Sequence, residues 1–231
     1  MSTLQSALFR VAEVATGGVT AVFVSLVVLP MRANALMIDA AAEIMDLMAQ
    51  ALRDLMVGFT RPVDPDAILC LQNPIDEGLA RLGPIATEAG YERVTWLDPY
   101  GDPAPLQRTL LRLRQDLVMI GRSAVAPLPE PLKARLSPRL GDVAKAAHHI
   151  LRDSAAALRA RRAPPALTTA INALEAYSAE IDALRSDGLL RELTTDGLER
   201  IFALGFSLEQ LQRNVSDLVR CVSEWTQRRT R

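Results

Sequence analysis

The stretch that decides the fold runs from Phe9 to Ala33 and reads FRVAEVATGGVTAVFVSLVVLPMRA. No charged residue stands between Val14 and Pro30. A bilayer core about 30 Å thick is crossed by about 20 apolar residues, each rising roughly 1.5 Å. Val11 to Leu29 approaches that length, with Glu13 near one end. Residues 9–30 therefore read as one membrane-spanning helix. Two alternatives compete. A core helix of a soluble helical module would need protein to bury the same residues. A cleaved signal peptide would have a shorter apolar core, basic residues before it and a small-x-small site after it. Here Pro30-Met31-Arg32 follows, and a helical pattern resumes at once.

Within that helix Glu13, Gly17, Ala21 and Ser25 recur every fourth residue and share one face. Small side chains on one face let another membrane helix approach closely. Val14, Val22, Phe23, Leu26 and Val27 occupy the other faces and suit lipid or a bundle interior. The stripe predicts neighbouring membrane helices, supplied by another polypeptide or by another copy of the chain. Glu13 has two readings: a carboxylate serving substrate or proton coupling inside a bundle, or an interfacial one beside Arg10. Arg10 and Arg32 flank the segment about equally, so charge does not orient it.

Composition narrows the function. Lys and Arg total 26 against 27 Asp and Glu, so no basic field points to nucleic acid. Aromatic content of 4% offers little surface for stacking bases. Cys70 and Cys221 lie far apart without a CxxC or Cys/His cluster, which argues against zinc and for reduced, buried thiols. Nucleophile elbow, P-loop and dinucleotide signatures are absent from the sequence. The reading is a non-enzyme with no cofactor and no metal.

Two segments carry a family resemblance. RVAEVATGGVTAVFVSLVVLPMRA (Arg10 to Ala33) resembles the last membrane helix of the FUSC family, which includes fusaric acid resistance proteins and aromatic acid exporters. LERIFALGFSLEQLQRNVSDL (Leu198 to Leu218) is similar to the closing helix of that family's cytosolic region. The resemblance implies a bacterial inner-membrane protein with its C-terminal domain in the cytoplasm. It implies organic-acid substrates, reached only through a full assembly, because family members carry several membrane helices ahead of this one. A single helix encloses no path, so transport by this chain alone is not expected.

After residue 30 the sequence predicts an all-α, antiparallel cytosolic bundle. Residues 31–125 form a first helical half, 126–138 a proline-rich linker, and 139–228 a second half. Met31 to Phe59 is amphipathic: Met37, Ala40, Ile44, Leu47, Ala51 and Leu55 make one stripe, and Asp39, Glu43, Asp46, Gln50 and Asp54 line a solvated side. Ala67 to Arg93 reads as helical but punctuated: Asn73-Pro74 looks like an N-cap and first helical position, with Asp76 and Glu77 in the first turn. Pro84 is expected to kink or split that element. Leu106, Leu110, Leu113, Leu117 and Ile120 mark the next helix, whose Arg112 and Asp116 stand one turn apart as an expected pair. His148-His149 point about 100° apart on a helix and do not suit one metal ion.

The last helix is the most regular. Thr194-Thr195-Asp196 predicts its cap, with Glu199 placed for a capping box. Ile201, Leu208, Val215 and Val222 repeat at sevens, as do Leu204, Leu211, Leu218 and Trp225. That is an a/d seam, packed within the chain's own bundle or against a second chain. Two functions are left in view. One is the C-terminal part of a FUSC-like exporter, bound to the bilayer and to other membrane helices. The other is a membrane-anchored helical scaffold that transports nothing.

Overall fold

The computed structural model describes residues 3–27, 29–93 and 101–227, and among them there are seven α-helices, one 3₁₀ turn and no strand. The helices are α1 (Thr3–Val27), α2 (Leu29–Val57), α3 (Pro65–Arg93), α4 (Pro103–Ser123), α5 (Glu130–Ala160), α6 (Thr168–Ser186) and α7 (Thr195–Gln227). The 3₁₀ turn spans Leu189–Glu192. The all-α expectation holds for the described residues.

α2 is the central shaft. Its sequence stripe is buried at Met37, Ile44, Ala51 and Leu55, but so are Ile38, Ala41, Ala42, Met45, Met48, Ala49 and Leu52. Two faces are covered because α3, α4 and α5 all pack against it. The neighbours alternate in direction. Leu128 N donates to Phe59 O at 3.1 Å, and Arg152 and Arg159 both reach Asp46, so α5 runs back along α2. α7 runs antiparallel to α4: Arg200 meets the end of α4, and Arg112 pairs with Asp217 further along. α6 lies on α5, tied by Arg135 to Glu180 and Asp187. One continuous apolar core joins α2 through α7, so the two halves on either side of the proline-rich stretch interleave.

Several local expectations give way to tertiary forces. α3 begins at Pro65, where Asp64 Oδ1 accepts from Asp66 N at 3.0 Å. Asn73-Pro74 is therefore mid-helix, and Asp76 is held by Arg114 through two bonds of 2.7 and 2.8 Å. Pro84 does not split α3. Pro74, Pro84 and Pro138 all face outward, where water can take the carbonyl that a proline leaves without a donor. The stretch 126–138 is a connection only as far as Pro129, since α5 starts at Glu130 and continues through Pro138. α7 is capped by Thr194, whose Oγ1 accepts from Gly197 N at 3.2 Å. Its third position is thus Gly197, and Glu199 falls beyond the capping-box site. Cys70 is exposed rather than buried, while Cys221 is buried; both are free thiols. Of the loop around Asp98 to Pro103, residues 94–100 lie outside the described residues.

Candidate functional site

α1 differs from every other helix. All of its side chains from Phe9 to Val24 are exposed, including Val14 at 76% and Val19 at 70%. Its one substantial contact among the described residues is with α2, which follows it. Glu13, Gly17 and Ala21 share a shallow groove with Phe9, Ala12, Thr16, Thr20 and Val24. A Cβ placed on Gly17 or Gly18 would meet nothing within 4 Å, so the backbone is open to close approach. The threonines present no loose hydroxyl. Thr16 Oγ1 donates to Ala12 O at 2.7 Å, and Thr20 Oγ1 donates to Thr16 O at 2.8 Å. Hydroxyls satisfied within the helix make the face compatible with an apolar neighbour. The side chain of Ser25 lies outside the described residues. Among those residues no helix is long and apolar enough to cross a membrane. The described side chains of α1 cover residues 9 to 24, which is shorter than the about 20 residues of a span.

The α7 seam is the second predicted feature, and it is filled from within the chain. Ile201, Leu204, Leu208, Leu211, Val215, Leu218, Val222 and Trp225 are all buried. Most of the seam meets α4, where Leu106, Leu110, Leu113, Leu117 and Ile120 are buried in turn, and part meets α5. Gly101 lies flat on Trp225: a Cβ there would come within 2.9 Å of the indole.

Polar groups stud this seam, and the sequence reading missed most of them. Asp116 does not pair with Arg112. It is buried and accepts from Asn214 Nδ2 at 2.7 Å, while Arg112 crosses to Asp217 at 3.2 Å. Burial pushes the Asp116 carboxyl up to about 6, against the smaller downward pull of the Asn214 bond. Further along, the Thr109 hydroxyl sits 3.9 Å from Cys221 Sγ, and burial raises the Cys221 thiol. Arg200 donates to Ser123 O at 2.8 Å and also to Ala126 O, closing the end of α4. The signal for Asp116 was present in the sequence: it lies between Leu113 and Leu117 on the apolar side of α4.

His148 is tied to α2, while His149 is exposed. His148 Nδ1 donates to Ala49 O at 3.0 Å, a carbonyl that can only accept, so the proton sits on Nδ1. The two rings meet edge to face with centroids 5.7 Å apart. Among the described residues no group of three or more His, Cys, Asp or Glu is placed to hold a metal ion. No protein-family model matches the chain, and no curated protein matches it.

Proposed function

We propose that the chain is the membrane-anchored C-terminal part of an exporter assembly of the FUSC type. In this reading α1 docks on other membrane helices through its Glu13, Gly17, Ala21 and Ser25 face. The bundle α2–α7 supports that assembly from the cytoplasmic side and carries no catalysis. The observation behind the reading is the exposure of α1: among the described residues its side chains from Phe9 to Val24 are all exposed, apolar ones included. Contiguous apolar surface of that kind marks a membrane or interaction site in a stable protein. The sequence resemblance at Arg10 to Ala33 and at Leu198 to Leu218 supplies the family. Organic acids are the proposed cargo of the whole assembly, and Glu13 is the one residue of α1 proposed to serve coupling.

Membrane fractionation followed by an alkaline carbonate wash tests the anchor: the chain is expected to stay with lipid, and release into the supernatant would remove this reading. Cysteine placed at Gly17, with Cys70 replaced by serine, is expected to cross-link to another membrane helix, whereas Val14→Cys on a different face is not. An efflux assay on the chain alone is expected to be negative. The scaffold reading rests on the bundle itself. Among the described residues, the void between α5, α6 and α7 is about 10 Å³ and too small for a substrate. The scaffold reading prevails if the anchor holds but the Gly17→Cys cross-links reach only non-transport proteins.

A further inference from the structure

Two polar pairs stand one turn apart in the middle of the α4–α7 contact. Asp116 accepts from Asn214 at 2.7 Å, and Arg112 donates to Asp217 at 3.2 Å. Asp116 and Asn214 are buried in the apolar seam, whereas Arg112 and Asp217 stand at its more exposed edge. The buried carboxyl has a neutral amide for a partner, which suits its protonated form. An ionised carboxylate in that place has no counter-charge.

The other charged groups around the seam are engaged elsewhere. Arg114 gives two bonds to Asp76 of α3. On α7, Arg213 lies against Glu209, and Arg220 against Asp217 and Glu224. α2 turns Asp39 and Glu43 to solvent and gives Asp46 to Arg152 and Arg159 of α5. On α5, Asp142 and Lys145 are exposed and His148 is bound to Ala49, while Asp182 and Arg185 of α6 pair with each other. Arg112 is the cation free to change sides. It stands four residues before Asp116 on the same helix, the spacing of an ion pair. If it leaves, Asp217 keeps Arg220, which donates to its other oxygen at 2.8 Å.

We propose that the α4–α7 contact is a pH-operated joint in which Asp116 exchanges partners. Protonated, Asp116 stays on Asn214 while Arg112 holds Asp217. Ionised, with its proton lost to water, Asp116 draws Arg112 back along α4, so both α4–α7 pairs part together and water enters the seam. Burial raises the carboxyl to about 6, which sets where the exchange falls. Mild acid closes the joint and neutral pH loosens it. Nothing in the device involves α1.

Side-chain nitrogen NMR of the full chain in mild detergent, from about pH 4.5 to about pH 8, is the test. The Asn214 amide and Arg112 Nε signals are expected to move together with one midpoint near 6. Backbone amides of α7 are expected to exchange about 10-fold faster at about pH 7.5 than at about pH 5, after correction for intrinsic rates. Asp116→Asn keeps the shape, cannot ionise, and is expected to abolish all three responses. An Arg112 signal that stays still while Asn214 and α7 respond overturns the exchange of partners. Responses that survive in Asp116→Asn, or that are absent from the wild type, overturn the joint itself.

Discussion

Asn214 Nδ2 donates to Asp116 Oδ2 at 2.7 Å inside the α4–α7 contact, where both side chains are more than nine-tenths buried. This is the one buried carboxylate of the described seam, and its energetics have a sign. Its folded pKa of about 6 lies above the ordinary 3.8, so between those values the folded chain keeps a proton that the unfolded chain has released. The favourable contribution is complete below about pH 3.8 and is lost as pH rises through about 6. Above that, the buried charge costs on the order of 3 kcal/mol. Asp116→Asn is therefore expected to raise stability near pH 7 by about 1–2 kcal/mol, and to make no difference near pH 4. Urea unfolding of both proteins at the two pH values checks this.

Arg200 satisfies two backbone carbonyls where α4 ends and the connection to α5 begins. Arg200→Met keeps the stem and removes the donors, leaving Ser123 O and Ala126 O short of partners. The expected loss is about 1–3 kcal/mol, and hydrogen exchange is expected to rise first in residues 124–129.

At Gly58 the end of α2 passes directly against α4. A Cβ there would stand 2.5 Å from Ala124 O and 3.0 Å from Ala124 Cβ. The obstacle is backbone, which cannot rotate away, so Gly58→Ala is expected to cost about 1–3 kcal/mol. Gly141→Ala is the control: nothing lies within 4 Å of its Cβ position, and helix propensity there favours alanine by about 1 kcal/mol. Thermal melts of the two variants are expected to move in opposite directions.

Tyr177 is buried with its hydroxyl lacking a hydrogen-bond partner, and burial raises its pKa. An unpaired buried hydroxyl costs stability that the ring alone would not. Tyr177→Phe is expected to stabilise the chain by about 1 kcal/mol, measured as a higher urea midpoint with an unchanged slope.

How far the sequence carried the fold depends on what each signal measures. Period and length placed the helices well, because an amphipathic stripe such as Leu106 to Ile120 reflects burial directly. α2 was only half read. With two faces covered, its alanines and methionines blur any single stripe. The helical stretch read over residues 67–93 matches α3, but the internal start at Asn73-Pro74 fails, because Asp64-Pro65 is an equally good local start signal. The choice between them was made by Ile68 and Ile75, which are buried on one unbroken helix. Arg112 and Asp116 satisfy the one-turn rule on paper, but the rule knows nothing of α7, which takes the acid inward and the arginine outward. On α1, Glu13, Gly17 and Ala21 line one groove, as their spacing predicts, while the side chain of Ser25 lies outside the described residues. The exposure of Phe202 and Phe206 was not legible, since an exposed aromatic looks in sequence like a core residue.

The central place of α2 has a consequence in time. Met37, Met45, Met48 and Met56 are fully or almost fully covered in the finished bundle, and α5 is a major part of that cover. During synthesis α2 leaves the ribosome about a hundred residues ahead of the end of α5, at Ala160. At about 5–20 residues per second, it waits several seconds with part of its methionine-rich surface open. The long, flexible side chains it shows in that interval suit transient contact with many partners. The core helix of the mature protein is thus a vulnerable helix of the nascent one.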